Sequence, residues 1–178
     1  MSLISPKTAL VSLSDKSNLD QLIEFLVNQE VKIISTGGTY NAIKEITDEV
    51  LEVSEFTGFD EMMDGRVKTL HPKIHAGILA RRETDIEVLA DRGFEVIDIV
   101  IVNLYPFQET IASNCSFEEA IEKIDIGGPT MIRAAAKNFK DVAVVTDPND
   151  YSRLIQEWET QGGISYTCLL YTSDAADD

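Results

Sequence analysis

The stretch TALVSLSDKSNLDQLIEFLVNQEVKIIS, residues Thr8 to Ser35, holds two short apolar runs separated by an amphipathic segment. The runs TALVSL and VKIIS have the length and composition of buried strands. Between them, four apolar residues recur at helical spacing, namely Leu19, Leu22, Ile23 and Leu26. A strand, a helix and a second strand in this order predict two parallel strands joined by a right-handed crossover.

The same alternation continues along the chain. VIDIVIV (residues 96–102) and DVAVVT (residues 141–146) resemble further buried strands, whereas FEEAIEKI, PTMIRAAAKN and PNDYSRLIQEWETQ have helical patterns. We therefore predict an α/β domain of three layers, with a central, mainly parallel sheet and helices on both faces. In such sheets ligands bind at the carboxyl ends of the strands.

Composition narrows the class of protein. The 178 residues are 44% hydrophobic, which suffices for one globular core. There are 31 acidic and 15 basic residues, a net charge of -16, which disfavours nucleic acid as a partner. We see no apolar run that could cross a bilayer and no secretory signal, and two cysteines form neither a disulfide framework nor a metal set. We expect a cytoplasmic protein without a membrane partner.

The last 11 residues, CLLYTSDAADD (residues 168–178), lack the periodicity of a helix or a strand. They resemble the translated end of a sequencing adapter, and an ordinary acidic tail is the alternative. We therefore assign residues 1–167 to the domain and interpret residues 168–178 as a non-native tail outside the fold.

Two polar segments follow the first two predicted strands. In SLSDK, Ser14 and Asp15 can cap the next helix and leave its N-terminal N–H groups facing an anion, although capping alone would explain them. In STGGT, Gly37 and Gly38 allow close approach of the backbone to a phosphate, but paired glycines also mark ordinary turns. The spacing of a Walker loop is absent.

A third segment, GRVKTLHPKIHAGILARR (residues 65–82), concentrates positive charge in an acidic chain. It contains both histidines and five cations: His71, His75, Arg66, Lys68, Lys73, Arg81 and Arg82. On an extended backbone, Arg66 and Lys68 would point to the same side. The two histidines have no third ligand nearby in sequence, so we predict no metal site. We interpret Arg81 and Arg82 as solvated.

A fourth segment, IDIGGPTMIRAAAKN, carries Asp125 and Ile126 before a Gly-Gly-Pro turn into a helix. The first N–H groups of that helix suit a developing oxyanion. Arg133 and Lys137 are four residues apart on one face of the helix. The alternative for Lys137 is that it only complements the negative end of the helix dipole.

Taken in order, SDK, STGGT, GRVKTLHPKIHAGILARR, VNLYPF and IDIGGPTMIRAAAKN resemble the N-terminal domain of the bifunctional purine-biosynthesis family. That family combines AICAR transformylase with IMP cyclohydrolase. The resemblance extends from about Ala9 to Thr167 and implies the methylglyoxal-synthase-like (MGS-like) fold. The implied reaction closes 5-formamidoimidazole-4-carboxamide ribotide (FAICAR) to IMP with loss of water. It needs neither cofactor nor metal, whereas 10-formyltetrahydrofolate would serve only the transformylase domain, which this sequence lacks. The family dimerises largely through that domain, so this chain could be monomeric.

The resemblance also assigns residues to the site. The phosphate would be held at Ser14, Asp15, Lys16, Thr36, Gly37, Gly38 and Thr39. The base and ribose would be held at Arg66, Val67, Lys68, Thr69, Val102, Asn103, Asp125 and Ile126, with Tyr105 and Gly127 beside them. Lys137 is the implied proton donor and acceptor. We expect Asp125 to orient Lys137 or to accept the amide proton, and Lys68 to stabilise the oxyanion.

Two alternatives of other classes remain. Methylglyoxal synthase shares the fold and STGGT, but it has no use for RVKTLHP or RAAAKN. A non-catalytic nucleotide-sensing module, like the regulatory domain of large carbamoyl-phosphate synthetases, would keep the phosphate loops without a proton-transfer lysine. An assay with dihydroxyacetone phosphate tests the first, and IMP binding without cyclisation of FAICAR would favour the second.

Overall fold

The structure is a computed structural model that describes residues 3–105, 112 and 115–175. Within them lies one sheet of five parallel strands in the order β3-β2-β1-β4-β5. The strands are β1 (Thr8–Leu13), β2 (Lys32–Ser35), β3 (Val50–Glu52), β4 (Ile99–Asn103) and β5 (Ala143–Val145). The helices are α1 (Leu19–Asn28), α2 (Gly37–Lys44), α3 (Val53–Thr57), α4 (Pro72–Leu79), α5 (Ile86–Ala90), α6 (Phe117–Glu122), α7 (Gly127–Lys137), α8 (Tyr151–Gln161) and α9 (Tyr166–Ala175).

The central strands are apolar on both sides because helices cover both faces of the sheet. Along β1, Ala9 and Val11 enter one hydrophobic cluster, whereas Leu10 enters the other. The first cluster packs α1 and α8 against the sheet, with Phe25 and Trp158 in edge-to-face contact at 5.3 Å between ring centroids. The second packs α4 and α7 on the opposite face. The predicted three-layer α/β fold is therefore confirmed.

The order of the strands places a switch point between β1 and β4. From β1 the chain moves outward to β2 and β3, and then returns to the other side of β1 to form β4 and β5. The crossovers on the two sides of this point diverge, which leaves a crevice above the carboxyl ends of β1 and β4. Leu13 and Asn103 end these two strands and are paired in register.

The end of the chain differs from the prediction. Residues 166–175 form helix α9, in which Cys168, Leu169 and Thr172 are buried. The Ser173 hydroxyl also donates a hydrogen bond to the Ala136 carbonyl, 3.3 Å away. Residues 168–175, which belong to the segment interpreted as a tail outside the fold, form a helix here, because contact with the sheet and α7 stabilises a helix whose own pattern is weak.

Arg82 also differs from its predicted role as a solvated cation. Its guanidinium donates to the carbonyls of Ala80 and Ile97 at 2.6 and 2.8 Å and to the Asp98 carboxylate at 3.1 Å. These bonds join the end of α4 to the start of β4, at the amino edge of the sheet. Arg81, by contrast, pairs with Asp85 on the surface, as expected of a solvated residue.

Candidate functional site

The loop after β1 is held by a side chain from β4. The Asn103 Oδ1 accepts hydrogen bonds from the N–H groups of Ser14 and Asp15 at 2.7 and 2.9 Å. Its Nδ2 donates to the Asp15 carbonyl at 2.7 Å. Lys16 folds back, and its Nζ donates to the Leu13 carbonyl at 3.2 Å. Asn103 thus acts on the predicted phosphate loop, a role that differs from the predicted contact with base or ribose.

This loop does not cap α1 as predicted. The Asp15 carboxylate accepts from the N–H and the hydroxyl of Ser17, at 2.9 and 2.6 Å, and closes a local turn. Helix α1 then begins only at Leu19, after Asn18 in the left-handed region with φ 59°. The hydrogen bonds from Ser17 are the main reason why the pKa of Asp15 lies below its usual range. Asp15 is therefore a carboxylate within the predicted phosphate loop.

The second loop joins β2 to α2. Gly37 starts α2 with φ +57°, a conformation that favours glycine. The Thr36 hydroxyl is buried and has no hydrogen-bond partner among the described residues. The Thr39 hydroxyl instead bonds the backbone of Leu13, accepting from its N–H at 2.8 Å and donating to its carbonyl at 2.9 Å. Thr39 therefore joins the first loop to the second, whereas the Thr36 hydroxyl has no hydrogen-bond partner among the described residues.

The two cations of RVK face different partners. The Arg66 guanidinium pairs with Glu122 of α6 at 2.8 Å. The Lys68 Nζ lies 3.6 Å from the Glu61 carboxylate, and a Cβ built on Gly37 would lie 3.2 Å from that Nζ. The two cations thus contact carboxylates from different segments, and a turn closed by the Arg66 N–H and the Met63 carbonyl precedes Lys68. Lys68 nevertheless reaches the start of α2, as a phosphate or oxyanion ligand would.

The N-terminus of α7 closes the crevice from the other face. The Asp125 carboxylate accepts from the Gly128 N–H at 2.8 Å and caps the helix. Gly127 packs so closely on Thr69 that a Cβ there would collide with the threonine hydroxyl. A Cβ on Gly128 would lie 2.5 Å from both Asp125 and Leu104. The two glycines therefore bring the helix start, Thr69 and the end of β4 together.

The remaining predicted residues separate into buried and exposed positions. The Val102 side chain lies in the hydrophobic core, so only its backbone is available at this edge. Val67 pairs through its backbone with Met62. Tyr105 and Ile126 are exposed, and the Lys123 ammonium lies 5.3 Å from the centre of the Tyr105 ring.

Lys137 lies at the other end of the helix whose start reaches this site. Helix α7 is continuous over 11 residues, so at 1.5 Å per residue its ends are about 15 Å apart. The Asp125 end lies at the carboxyl edge of the sheet. The other end lies at the amino edge, where the Asn138 amide donates to the carbonyls of Ile78 and Ala80. The exposed Lys137 sits in the last turn, which agrees with the alternative that it complements the helix dipole.

The histidines occupy structural positions. The His71 Nδ1 accepts from the Lys73 N–H at 3.1 Å and caps α4, whose first residue is Pro72. The His75 Nε2 is buried without a partner among the described residues, and burial lowers the pKa of His75. Across the described ranges, no group of three or more His, Cys, Asp or Glu is placed to hold a metal ion.

Three features of the site have no recognisable signal in the sequence. Glu61 and Glu122, which pair with Lys68 and Arg66, lie in segments without a recognisable motif. The three hydrogen bonds of Asn103 join residues almost 90 positions apart. Only the parallel pairing of β1 with β4, ending at Leu13 and Asn103, could have indicated that contact.

Comparisons with known proteins agree with this architecture. Residues 18–130 match the family model of the MGS-like domain, and residues 135–173 match that of the AICARFT/IMPCHase bienzyme. The crystal structure of ForH superposes with a TM-score of 0.82 and 32% identity, covering 97% of this chain and 92% of ForH. None of the helices in the described part of the chain is long and apolar enough to span a membrane.

Curated relatives named bifunctional purine biosynthesis protein PurH are closely similar. Those of Clostridium kluyveri and Clostridium acetobutylicum are each 55% identical, over 160 and 162 residues. That of Fusobacterium nucleatum is 52% identical over 162 residues. The matches cover 89 to 90% of this chain and 32% of each relative, so the chain spans about a third of their length. The chain belongs to the MGS-like domain family and is related to the bifunctional purine biosynthesis proteins.

Proposed function

We propose that this chain acts in purine biosynthesis as an IMP cyclohydrolase, closing the ring of FAICAR to give IMP and water. The observation that carries the proposal is the convergence of four separate segments at the carboxyl edge of β1 and β4. These are the Ser14–Lys16 loop, the start of α2, Lys68, and the start of α7 at Asp125. The family matches support the choice of a purine ribotide over other phosphate esters.

The phosphate of the ribotide suits the start of α2. The first N–H groups of a helix and its dipole attract an anion. Gly37 allows close approach there, and the Thr36 hydroxyl beside it has no partner among the described residues. The Thr39 hydroxyl joins this helix start to the Ser14–Lys16 loop through the backbone of Leu13, so both segments can contact the same phosphate. The phosphate thereby fixes one end of the substrate.

Ring closure needs correct geometry and proton transfer. The carboxamide nitrogen attacks the formyl carbon, a C–N bond forms, and the formyl oxygen becomes negatively charged. That oxygen takes a proton and the attacking nitrogen loses one, which gives a neutral carbinolamine. The C–O bond then breaks as the hydroxyl takes a second proton and leaves as water, while the formamido nitrogen loses its proton and forms the C=N bond of the ring. Holding the two groups of one molecule in contact lowers the barrier. Cation and N–H donors aimed at the oxygen lower it further.

Lys68 and the Gly127 N–H at the start of α7 are the donors proposed for the oxyanion, since the Gly128 N–H already bonds Asp125 and Pro129 has no N–H. Asp125 is the proposed acceptor of the amide proton, since it lies at the same helix start. The predicted role of Lys137 in proton transfer lacks geometric support, because that side chain starts at the far end of α7. We therefore assign the chemistry to Lys68 and Asp125 in this proposal.

The test is a spectrophotometric assay of IMP formation from FAICAR, with no folate added and with a metal chelator present. We expect turnover by the wild-type chain and a strong loss in Asp125→Asn. Dihydroxyacetone phosphate is offered as a second substrate. Release of methylglyoxal, or binding of IMP without any turnover of FAICAR, would overturn the proposal in favour of one of the two alternatives.

A further inference from the structure

Tyr151 carries a buried polar group that the proposed site has not used. It is the first residue of α8, directly after the turn at the carboxyl end of β5. The residue is 1% exposed, and its hydroxyl has no hydrogen-bond partner among the described residues. A buried hydroxyl without a partner is costly, so a bound state in which it gains an acceptor would be favoured.

The surroundings of this hydroxyl point to the first loop. The side-chain amide of Asn18 donates to the Pro148 carbonyl at 3.3 Å and joins the loop after β1 to the turn that leads into α8. Leu13 and Tyr151 belong to the same hydrophobic cluster. Burial raises the pKa of Tyr151, and the negative charges of Asp15 and Asp147 raise it further. The hydroxyl therefore stays protonated, and the contacts of Asn18 and Leu13 place the Tyr151 side chain on the side of the core that borders the first loop.

Of these two carboxylates, Asp15 is the one inside the predicted phosphate loop. Both of its documented hydrogen bonds, from Ser17, go to Oδ1. A phosphate bound at this loop would bring a second negative charge close to Asp15, and the repulsion would weaken binding. A hydroxyl that donates to Asp15 would disperse that charge and fix the loop.

We propose that Tyr151 is a positioning residue for phosphate binding: its hydroxyl donates a hydrogen bond to the Asp15 carboxylate when a phosphate monoester occupies the Ser14–Lys16 loop. The inference rests on the proposed function only for the identity of the ribotide. The inference itself requires only that a phosphate monoester binds at this loop. Tyr151 touches neither the base nor the reacting groups, so it acts through Asp15.

The test variant is Tyr151→Phe, which removes one oxygen from the core. Because that oxygen has no partner in the structure, the melting temperature of the protein alone should stay the same or rise. The dissociation constants of IMP and of ribose 5-phosphate should rise about ten-fold, the loss of one hydrogen bond to a charged group. Binding of inosine, which lacks the phosphate, should not change. KM for FAICAR should rise with kcat nearly constant.

Tyr166→Phe is the matched control, since Tyr166 packs on Phe139 at the opposite edge of the sheet. It should leave all three affinities as in the wild type. Unchanged affinity of Tyr151→Phe for ribose 5-phosphate would overturn the inference, as would an equal loss for inosine. If the wild type binds ribose 5-phosphate but does not convert FAICAR, the proposed function fails, while the comparison of Tyr151→Phe with the wild type still decides this inference. No binding of either phosphate by the wild type overturns both.

Discussion

At the scale of single residues, Asn103 shows how one side chain builds a binding loop. Its amide makes three hydrogen bonds with the backbone of Ser14 and Asp15. The other hydrogen bonds of the loop after β1 are mainly within the loop itself, so the bonds from Asn103 are the ones that attach it to β4. The order of this loop, and with it the position of the phosphate, therefore depends on β4.

We predict that Asn103→Ala raises KM for FAICAR about ten-fold and lowers the free energy of unfolding by about 1–3 kcal/mol, because two N–H groups lose their acceptor. Steady-state kinetics and urea unfolding measure the two effects. Asn28→Ala, at the exposed end of α1, is the control and should change neither. A wild-type KM in Asn103→Ala would show that the loop keeps its shape without Asn103.

At the scale of elements, the start of α2 depends on one of its two glycines. Gly37 has φ +57°, and a Cβ there would lie 3.2 Å from the Lys68 Nζ. Gly38 has ordinary backbone angles, and a Cβ there would meet nothing within 4 Å. The paired glycines of STGGT are thus different in role, although they are alike in sequence.

We predict that Gly37→Ala lowers the free energy of unfolding by about 1–2 kcal/mol, because alanine is strained in the left-handed region. Gly38→Ala should be neutral or stabilising by up to about 1 kcal/mol, because alanine favours a helix over glycine. Chemical denaturation of the two variants side by side checks this. Equal effects at both positions would contradict the assigned geometry of the α2 start.

The elements also show what the sequence could predict. The strands β1, β2, β4 and β5 follow from apolar runs, since a buried parallel strand needs little else. The start of α1 differs from the prediction because the Asp15 side chain bonds Ser17 and closes a turn that competes with the cap. Helix α9 has no signal in the sequence because its stability comes from burial of Cys168 and Leu169 against the sheet.

The sequence predicts the strands and helices better than it predicts which side chains contact one another at the candidate site. Ser14 and Thr36 follow β1 and β2, so topology places them at one edge of the sheet. Asp125 lies between α6 and α7, and the close contact of Gly128 with Leu104 brings that turn to the end of β4. Lys137 was assigned by resemblance, and the length of α7 separates it from that edge. Partners of side chains, such as Glu61 for Lys68, depend on loop conformation and have no periodic signal.

At the scale of the whole molecule, the carboxyl and amino edges of the sheet differ in the kind of interactions they hold. The carboxyl edge holds the candidate site, whereas at the amino edge Arg82 binds the end of α4 to β4. The Arg82 and Asp98 side chains are only 21% and 14% exposed. Their interaction is therefore screened less by water than that of the surface pair Arg81–Asp85.

We predict that Arg82→Ala lowers the free energy of unfolding by about 2–4 kcal/mol, because it removes the charge partner of the largely buried Asp98 and a hydrogen-bond donor to the carbonyls of Ala80 and Ile97. The kcat of the folded fraction should stay within about two-fold of the wild type, since a change at this edge leaves the transition-state contacts intact. Arg81→Ala, at an exposed ion pair, should cost less than about 1 kcal/mol. Thermal melts with kinetics below the transition test this, and a large fall in kcat would contradict the separation of the edges.

The central claim is that the chemistry occurs where β1, β4 and the starts of α2 and α7 meet. The most direct measurement is kcat for the conversion of FAICAR to IMP by Lys68→Ala and Lys137→Ala under saturating substrate. We predict that Lys68→Ala lowers kcat about 10²–10³-fold, the size expected when an oxyanion donor is removed. The kcat of Lys137→Ala should stay close to that of the wild type. Full activity of Lys68→Ala, or a greater loss in Lys137→Ala, would contradict the central claim.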